Sequence, residues 1–238
     1  MEEQTMALSK SEIEARYVER TGRSVVAYNL MNDSVFYLFF KRAFDLVAGV
    51  VGLVLSSPLF LIISLFYLFG NQKGPVFFRQ KRIGQRGHAF YIYKFRSMVV
   101  NAEEELKSNK LLYRKYIENN YKLEPSEDPR ITVIGRFLRK TSLDELPQLI
   151  NVIKGEMSIV GPRPVVTEEL KEYGDNTKLF LSAKPGLTGY WQVCGRSDIE
   201  YPERVDVELY YIRHKSFKFD LKIVFQTILS VITGKGAY

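Results

Sequence analysis

Residues 46–72, LVAGVVGLVLSSPLFLIISLFYLFGNQ, are 27 consecutive positions without a charge, with Ser56-Ser57-Pro58 near their centre. Such a run exceeds what a soluble core asks for and matches the ~20 apolar residues of a membrane helix. As one straight helix it would extend about 40 Å at ~1.5 Å per residue, beyond a hydrocarbon core of ~30 Å. Proline inside a helix removes a hydrogen bond and crowds the preceding turn, at a cost of roughly 3 kcal/mol. The run therefore predicts a segment that enters a bilayer and bends within it. Lys41 and Arg42 precede it; Lys73, Arg79, Lys81 and Arg82 follow it. Because Lys and Arg mark cytoplasmic flanks, two basic flanks place both ends on the cytoplasmic face. Ser57 is a good N-cap and Pro58 a good first helical residue, so the pair can end one helix and open another. Two readings follow: a re-entrant helix-break-helix hairpin in one leaflet, or a spanning helix kinked at Pro58. Composition and charge leave both open. A buried core helix fits less well, because no polar face runs through the segment.

The remaining composition narrows the class. A chain of 238 residues is one domain with room for a small extension. Lys and Arg number 34 against 27 acidic residues, giving a net charge of +7 and a pI near 9.3. With a membrane segment, that excess points to anionic headgroups or phosphorylated substrates. Nucleic acid is the rival partner for such a charge, but no motif for it is present. Cys194 is the single cysteine, which excludes an internal disulfide, and two histidines, His88 and His214, argue against a zinc site or a His-based triad. The opening Met1-Glu2-Glu3 is not the start of a signal peptide.

Local patterns predict the elements. Residues 1–34 are polar and helical in part. The stretches 76–78 and 90–93, separated by Gly84 to Gly87, read as a β hairpin at the membrane surface. Helices are expected over 102–122, 133–138, 146–153 (ending at Gly155), 167–173, 199–211 and 220–232. Residues 157–160 are extended, and Pro185-Gly186 with Gly189 marks a tight loop. The uncharged part of the last helix, 223–234, is 12 residues, too short to span. It packs in the core or lies in the interface.

The polar cluster with most chemical content is Ser142-Leu143-Asp144-Glu145-Leu146-Pro147. Ser-x-x-Glu is a capping box, and acids suit a first helical turn, so a purely structural reading is available. The functional reading is that Asp144 and Glu145 sit at a helix entrance whose dipole favours charge, where a carboxylate can ligate Mg²⁺ or attack phosphorus. Arg136, Arg139 and Lys140 precede the pair. Arg163 follows in Gly161-Pro162-Arg163-Pro164, a turn stiffened by two prolines, and a guanidinium fork matches a phosphate. Lys94 and Arg96 alternate along a predicted strand and would share a face.

Taken together, these stretches resemble the bacterial sugar transferases, the monotopic polyprenyl-phosphate phosphoglycosyl transferases. The resemblance rests on Lys41-Arg42-x-Phe44-Asp45, Ser57-Pro58, Lys94-Phe95-Arg96-Ser97-Met98, the run from Leu138 to Gln148, Gly161-Pro162-Arg163-Pro164, and the run from Pro185 to Val193. It covers about residues 36 to 238, and the order and spacing of six motifs make it specific.

The resemblance implies transfer of a sugar-1-phosphate from a UDP-sugar to undecaprenyl or another polyprenyl phosphate, with release of UMP, as a first membrane step of exopolysaccharide, capsule or O-antigen synthesis. It implies that Asp144 is the nucleophile of a covalent phospho-sugar intermediate and that Glu145 partners it, both touching Mg²⁺. It further implies that Arg139, Arg163 and Lys94 hold the nucleotide-sugar phosphates, and that Lys41, Arg42 and Asp45 lie near the lipid phosphate at the Ser57-Pro58 membrane break. Arg96 and Asp220 are further site candidates, Asp220 without an assigned role. The implied fold is α+β, mainly helical: a polar N-terminal extension (1–35), a re-entrant membrane hairpin (36–73) and a cytoplasmic catalytic domain (74–238) with amphipathic interfacial helices and a small β hairpin. The implied location is the bacterial inner membrane, with membrane lipids, downstream glycosyltransferases and a second copy of the chain as further partners, and no nucleic acid.

Larger members of that family carry extra membrane helices and a soluble domain ahead of the catalytic region, where a short polar N-terminus is expected here. The segment from Asn101 to Asp128 is longer than in compact members. The run from Trp191 to Asp198 and the terminal Gly236-Ala237-Tyr238 resemble the hexose branch, which implies galactose or glucose; an N-acetylated UDP-sugar is the alternative. A membrane-tethered interaction module without chemistry is the rival of another class.

Overall fold

The computed structural model describes residues 33–68, 73–119, 123–124, 126–195 and 199–233. The polar segment expected to be partly helical therefore falls almost wholly outside the described residues.

Most of the charge-free run belongs to one helix, α1 (Val35–Phe66), of 32 residues. Among the described residues it is the single helix long and apolar enough to cross a membrane. Ser57-Pro58 lie inside it rather than between two helices. Pro58 cannot donate to the carbonyl of Val54 four residues back. Ser57 Oγ donates to that carbonyl instead, at 2.8 Å, and Ser56 Oγ donates to the Gly52 carbonyl at 2.7 Å. The Ser57 hydroxyl thus satisfies the backbone acceptor that Pro58 leaves without its usual donor.

One face of α1 meets the rest of the chain along its whole length. Tyr37, Lys41, Asp45, Gly49, Gly52, Ser56, Phe60 and Ile63 recur every three or four residues, which is one helical stripe, and Tyr67 just beyond the helix continues it. Asp45, Gly49, Ser56, Ile63 and Tyr67 are buried. Val47, Val50, Val51, Val54, Leu55, Leu61, Ile62 and Leu65 are exposed on the remaining surface.

Beyond α1 an antiparallel hairpin forms from β1 (Phe77–Ile83) and β2 (Ala89–Phe95), pairing Phe78 with Lys94 and Arg82 with Phe90. The charged segment makes two helices, α2 (Ala102–Ser108) and α3 (Lys110–Glu118), instead of one over 102–122. Asn109 is the reason: it is extended, and its side chain accepts the Leu112 N–H at 3.1 Å, capping the second helix. Helix α4 (Val133–Lys140) is capped by Thr132, whose hydroxyl accepts the Gly135 N–H at 3.0 Å. A 3₁₀ turn (Leu143–Gln148) leads into α5 (Leu149–Lys154), which ends as expected at Gly155 with φ 81. Strand β3 (Ser158–Val160) is followed by a 3₁₀ segment (Thr167–Asn176), α6 (Thr177–Phe180) and β4 (Gly186–Thr188), and β4 pairs in parallel with β3. The expected tight loop at 185–189 thus contains a strand, too short to show a period in sequence. Helices α7 (Tyr190–Cys194), α8 (Glu203–His214) and α9 (Phe217–Thr233) complete the fold, which is mostly helical with small sheets.

The main core joins β2, α5, β3, α8 and α9 through Phe90, Ile92, Val152, Met157, Leu209, Ile212 and Ile223. A second cluster of Ile63, Tyr67, Phe95 and Leu138 seats the far end of α1 on the hairpin and α4. Helix α9 packs one side into the core and leaves the other exposed. Asp220 and Ile223 are buried, while Leu221, Phe225, Ile228, Leu229 and Val231 are exposed.

The near end of α1 is fastened by polar contacts. Lys41 Nζ donates to Asp220 Oδ2 at 2.7 Å and to the Val160 carbonyl at 2.9 Å. Asp220 also accepts from Tyr211 at 2.7 Å and Tyr37 at 3.1 Å. Arg42 donates to the carbonyls of Val152 and Ile153 at 2.8 and 2.7 Å, closing the C-terminal end of α5. Asp45 Oδ1 accepts the Ser158 hydroxyl and the Ile159 N–H at 2.9 and 2.8 Å. Removing one member of the buried Lys41–Asp220 pair strands the other charge, a loss on the order of 3 kcal/mol. We expect Asp220→Ala to lower the thermal midpoint in detergent more than the double replacement Lys41→Met with Asp220→Leu, which strands none.

Candidate active site

Lys94, Glu145 and Arg163 line one cleft, together with Arg82, Ile92, Gln148, Pro164, Gly186, Leu187 and Gln192. The hairpin register explains two of these cations. The pairs Phe78–Lys94, Gln80–Ile92 and Arg82–Phe90 put Lys94, Ile92, Gln80 and Arg82 on one face of the sheet. Asn151 locks β2 from the side, accepting the Tyr93 N–H at 3.1 Å and donating to the Tyr91 carbonyl at 2.7 Å, as a neighbouring strand would. Arg163 enters from the opposite wall. The turn that carries it starts where Gly161 and Gly186 pass backbone to backbone: a Cβ on Gly186 would lie 2.1 Å from Gly161 N, and one on Gly161 would lie 2.3 Å from the Lys184 carbonyl. Only glycine allows that approach.

The Asp-Glu pair sits in the first turn of the 3₁₀ segment. The expected capping box is absent. Ser142 is left-handed (φ 56) and makes no side-chain cap, and Glu145 Oε1 instead accepts from Lys94 Nζ at 2.7 Å. Asp144 is buried. Burial pushes its carboxyl up to about 6; the nearby Lys94 and Arg139 pull it down, and the like charge of Glu145 pushes it up. Desolvation thus outweighs the cations in setting the direction of the shift.

The other candidates divide into two groups. Arg139 stays beside Asp144, its Nε donating to Ser97 Oγ at 2.9 Å. Arg96 does not share the face of Lys94. It lies beyond the end of β2, donates to the carbonyls of Pro75 and Met98, and covers the ring of Tyr67, whose hydroxyl donates to the Arg96 carbonyl. Lys41, Arg42, Asp45 and Asp220 lie in the clamp between α1 and the domain, and Ser57 and Pro58 lie exposed on α1. Arg82, Gln148 and Gln192 escaped the sequence reading. For Arg82 a signal existed: it alternates with Gln80 on a strand paired to the one bearing Lys94.

Among the described residues no group of three or more His, Cys, Asp or Glu could by itself hold a metal. Two adjacent carboxylates whose mutual repulsion raises the pKa of Asp144 suit a dication that takes few protein ligands and completes its shell with phosphates and water.

The sequence profile of the bacterial sugar transferases matches residues 36–234. The undecaprenyl-phosphate galactose phosphotransferase of Salmonella typhimurium is 47% identical over 203 residues, which are 84% of this chain and 42% of that protein. The exopolysaccharide production protein ExoY of Sinorhizobium fredii is 45% identical over 202 residues, 83% of this chain and 88% of ExoY. The UDP-glucose:undecaprenyl-phosphate glucose-1-phosphate transferase of Escherichia coli is 39% identical over 206 residues, 83% of this chain and 41% of that protein. The chain thus spans less than half of the galactose and glucose transferases and most of ExoY. With the matched profile running from the start of α1 through α9, the chain belongs to the bacterial sugar transferase family.

Proposed function

We propose that this protein is a polyprenyl-phosphate hexose-1-phosphate transferase, moving galactose- or glucose-1-phosphate from a UDP-sugar to undecaprenyl phosphate in exopolysaccharide synthesis. The observation that carries the reading is a buried acid, Asp144, next to Glu145, which pairs with Lys94 in a cleft also lined by Arg82 and Arg163. The names of the relatives support the sugar, the lipid and the pathway.

The chemistry proceeds in two displacements. An oxygen of Asp144 attacks the sugar-bearing β-phosphorus; the bond from that phosphorus to the bridging oxygen breaks, and UMP leaves with that oxygen. A phosphate oxygen of the lipid then attacks the same phosphorus and releases Asp144, leaving a sugar diphospholipid. Splitting the transfer lets a soluble and a membrane-bound substrate use one pocket in turn. Lys94 holds Glu145 at the cleft wall, and Arg163 and Lys94 offset charge on the equatorial oxygens. Mg²⁺, held by Asp144 and Glu145, would supply further neutralisation of phosphate charge when bound.

For topology we propose that α1 is re-entrant, bending near Pro58 without a break in the helix, in the inner membrane of a bacterium with the domain on the cytoplasmic side. Support comes from the contacts of α1. A straight span would carry one end to the far face, yet residues from Tyr37 to Tyr67 pack on the same domain. The exposed faces of α1 and α9, with Val133 and Phe137 on α4, supply apolar surface for lipid.

Three outcomes are expected. With UDP-galactose or UDP-glucose, undecaprenyl phosphate and Mg²⁺, the protein releases UMP, and Asp144→Asn lowers the rate roughly 10³-fold or more. With β-³²P-labelled UDP-sugar and no lipid, wild type retains label through denaturing gel electrophoresis and the variant does not. Absence of UMP with every UDP-sugar would remove the enzymatic reading. The second outcome concerns pH. The folded pKa of Asp144 lies above its unfolded value, so its stabilising contribution is full below the unfolded pKa and is lost as pH rises towards about 6. In metal-free buffer, the thermal midpoint of Asp144→Asn should therefore gain on wild type between about pH 4 and pH 7. The third is topological. In a Cys194→Ser background, cysteines at Glu2→Cys and Lys73→Cys should both resist a membrane-impermeant maleimide in intact cells; labelling of one alone would indicate a spanning helix.

A further inference from the structure

Behind the cleft, several buried polar atoms have no hydrogen-bond partner among the described residues: Arg82 Nε, Arg163 Nε, Trp191 Nε1, Gln192 Oε1 and Glu208 Oε2. Buried polar groups are rarely left so. Here they gather in one neighbourhood. Arg163 lies 5.2 Å from the centre of the Trp191 ring, and Arg204 stacks on the same ring at 4.6 Å. Glu208, fully buried, accepts the backbone N–H of Arg163 at 2.9 Å. These contacts hold Arg163 by its backbone and by the face of its guanidinium. Its buried Nε has no acceptor among the described residues.

Arg82 faces Arg163 from the hairpin wall of the same cleft. Its side chain is 11% exposed, and Glu169, at 3.5 Å, is its anionic partner. Its outer nitrogens donate to Gln80 Oε1 at 2.7 Å and to the Pro164 carbonyl at 3.3 Å. Burial and the nearby Arg163 lower its pKa to about 10, which leaves it charged at neutral pH. Two guanidiniums brought together in low dielectric repel unless an anion lies between them. The Gln80 and Pro164 contacts hold Arg82 in that position before any ligand arrives.

We propose that Arg82 and Arg163 form a two-guanidinium clamp for the diphosphate of a nucleoside diphosphate, with Arg163 held from behind by Glu208 and Trp191. This rests on the reading of the cleft as the donor site. It adds Arg82, from the opposite wall, as a binding residue for the same group. Each guanidinium offers charge-assisted hydrogen bonds, so losing either should weaken a diphosphate about 10- to 100-fold.

Trp191 is the only tryptophan of the chain and lies against Arg163, so its fluorescence reports on the clamp. The purified full chain, in detergent and without lipid acceptor, is titrated with UDP, inorganic pyrophosphate and uridine. Wild type is expected to respond to UDP and to pyrophosphate. Arg82→Gln, which keeps a polar side chain against Gln80, should weaken both about 10-fold or more while its thermal midpoint stays near that of wild type, with Arg82→Lys intermediate. Weak binding of uridine should be unchanged. Wild-type affinity for UDP in a folded Arg82→Gln would overturn the clamp while leaving the donor-site reading in place. Binding of pyrophosphate but not UDP would keep the clamp and remove the nucleotide reading, and no response of wild type to either ligand would overturn both. If Arg82→Gln fails to fold, Arg82→Lys decides: unweakened UDP binding there counts against the clamp.

Discussion

A polar side chain on an apolar helix has to find its partner somewhere other than lipid. On α1 that constraint falls on Tyr37, Lys41, Arg42 and Asp45, and the structure meets it with a clamp. Lys41 and Asp45 hold the two ends of β3, and Arg42 closes the end of α5. The 3₁₀ turn bearing Asp144 runs directly into α5, and Gly161-Pro162-Arg163 runs directly out of β3. The two sides of the cleft are thus attached to elements that α1 holds. Their position relative to the apolar face of α1 follows from the reach of three side chains rather than from the length of a linker.

Within the cleft the balance of terms is different. Burial raises the pKa of the Asp144 carboxyl, Lys94 and Arg139 lower it, and Glu145 raises it. Lys94 has two tasks in that balance. It pairs with Glu145, and its field reaches Asp144. The 3₁₀ geometry differs from the cap that the sequence suggests: Ser142 is left-handed and makes no side-chain cap, and Glu145 pairs with Lys94.

Several of these features were legible in the residues. The uncharged run, its basic flanks, the hairpin, the C-cap at Gly155 and the polar Asp144-Glu145 pair follow from local pattern, because hydrophobic period, turn chemistry and charge are local properties. The polar character of Lys41, Arg42, Asp45 and Arg96 was equally visible, but their placement was not. In the structure Lys41, Arg42 and Arg96 donate to carbonyls and to Asp220, and Asp45 accepts from Ser158 and Ile159, contacts that no local pattern records. Arg82 shows the reverse case. It looked like one more flanking cation, and it acquires meaning only when β1 pairs with β2 and the Arg163 turn closes from the other side.

By itself the sequence determined that the chain has a long apolar segment, one candidate acid pair, an excess of phosphate-matching cations and the ordered motifs of its family. These depend on residue type and spacing along the chain. Tertiary structure alone decided that α1 is one helix across Ser57-Pro58, that its polar stripe faces protein, that β4 exists, that Asp144 is buried, and which cations share the cleft. Each of those is set by groups far apart in sequence, from the 119 positions between Lys41 and Val160 to the 45 between Arg163 and Glu208. Burial and Coulomb interaction act over distance in space, and a linear pattern does not record it.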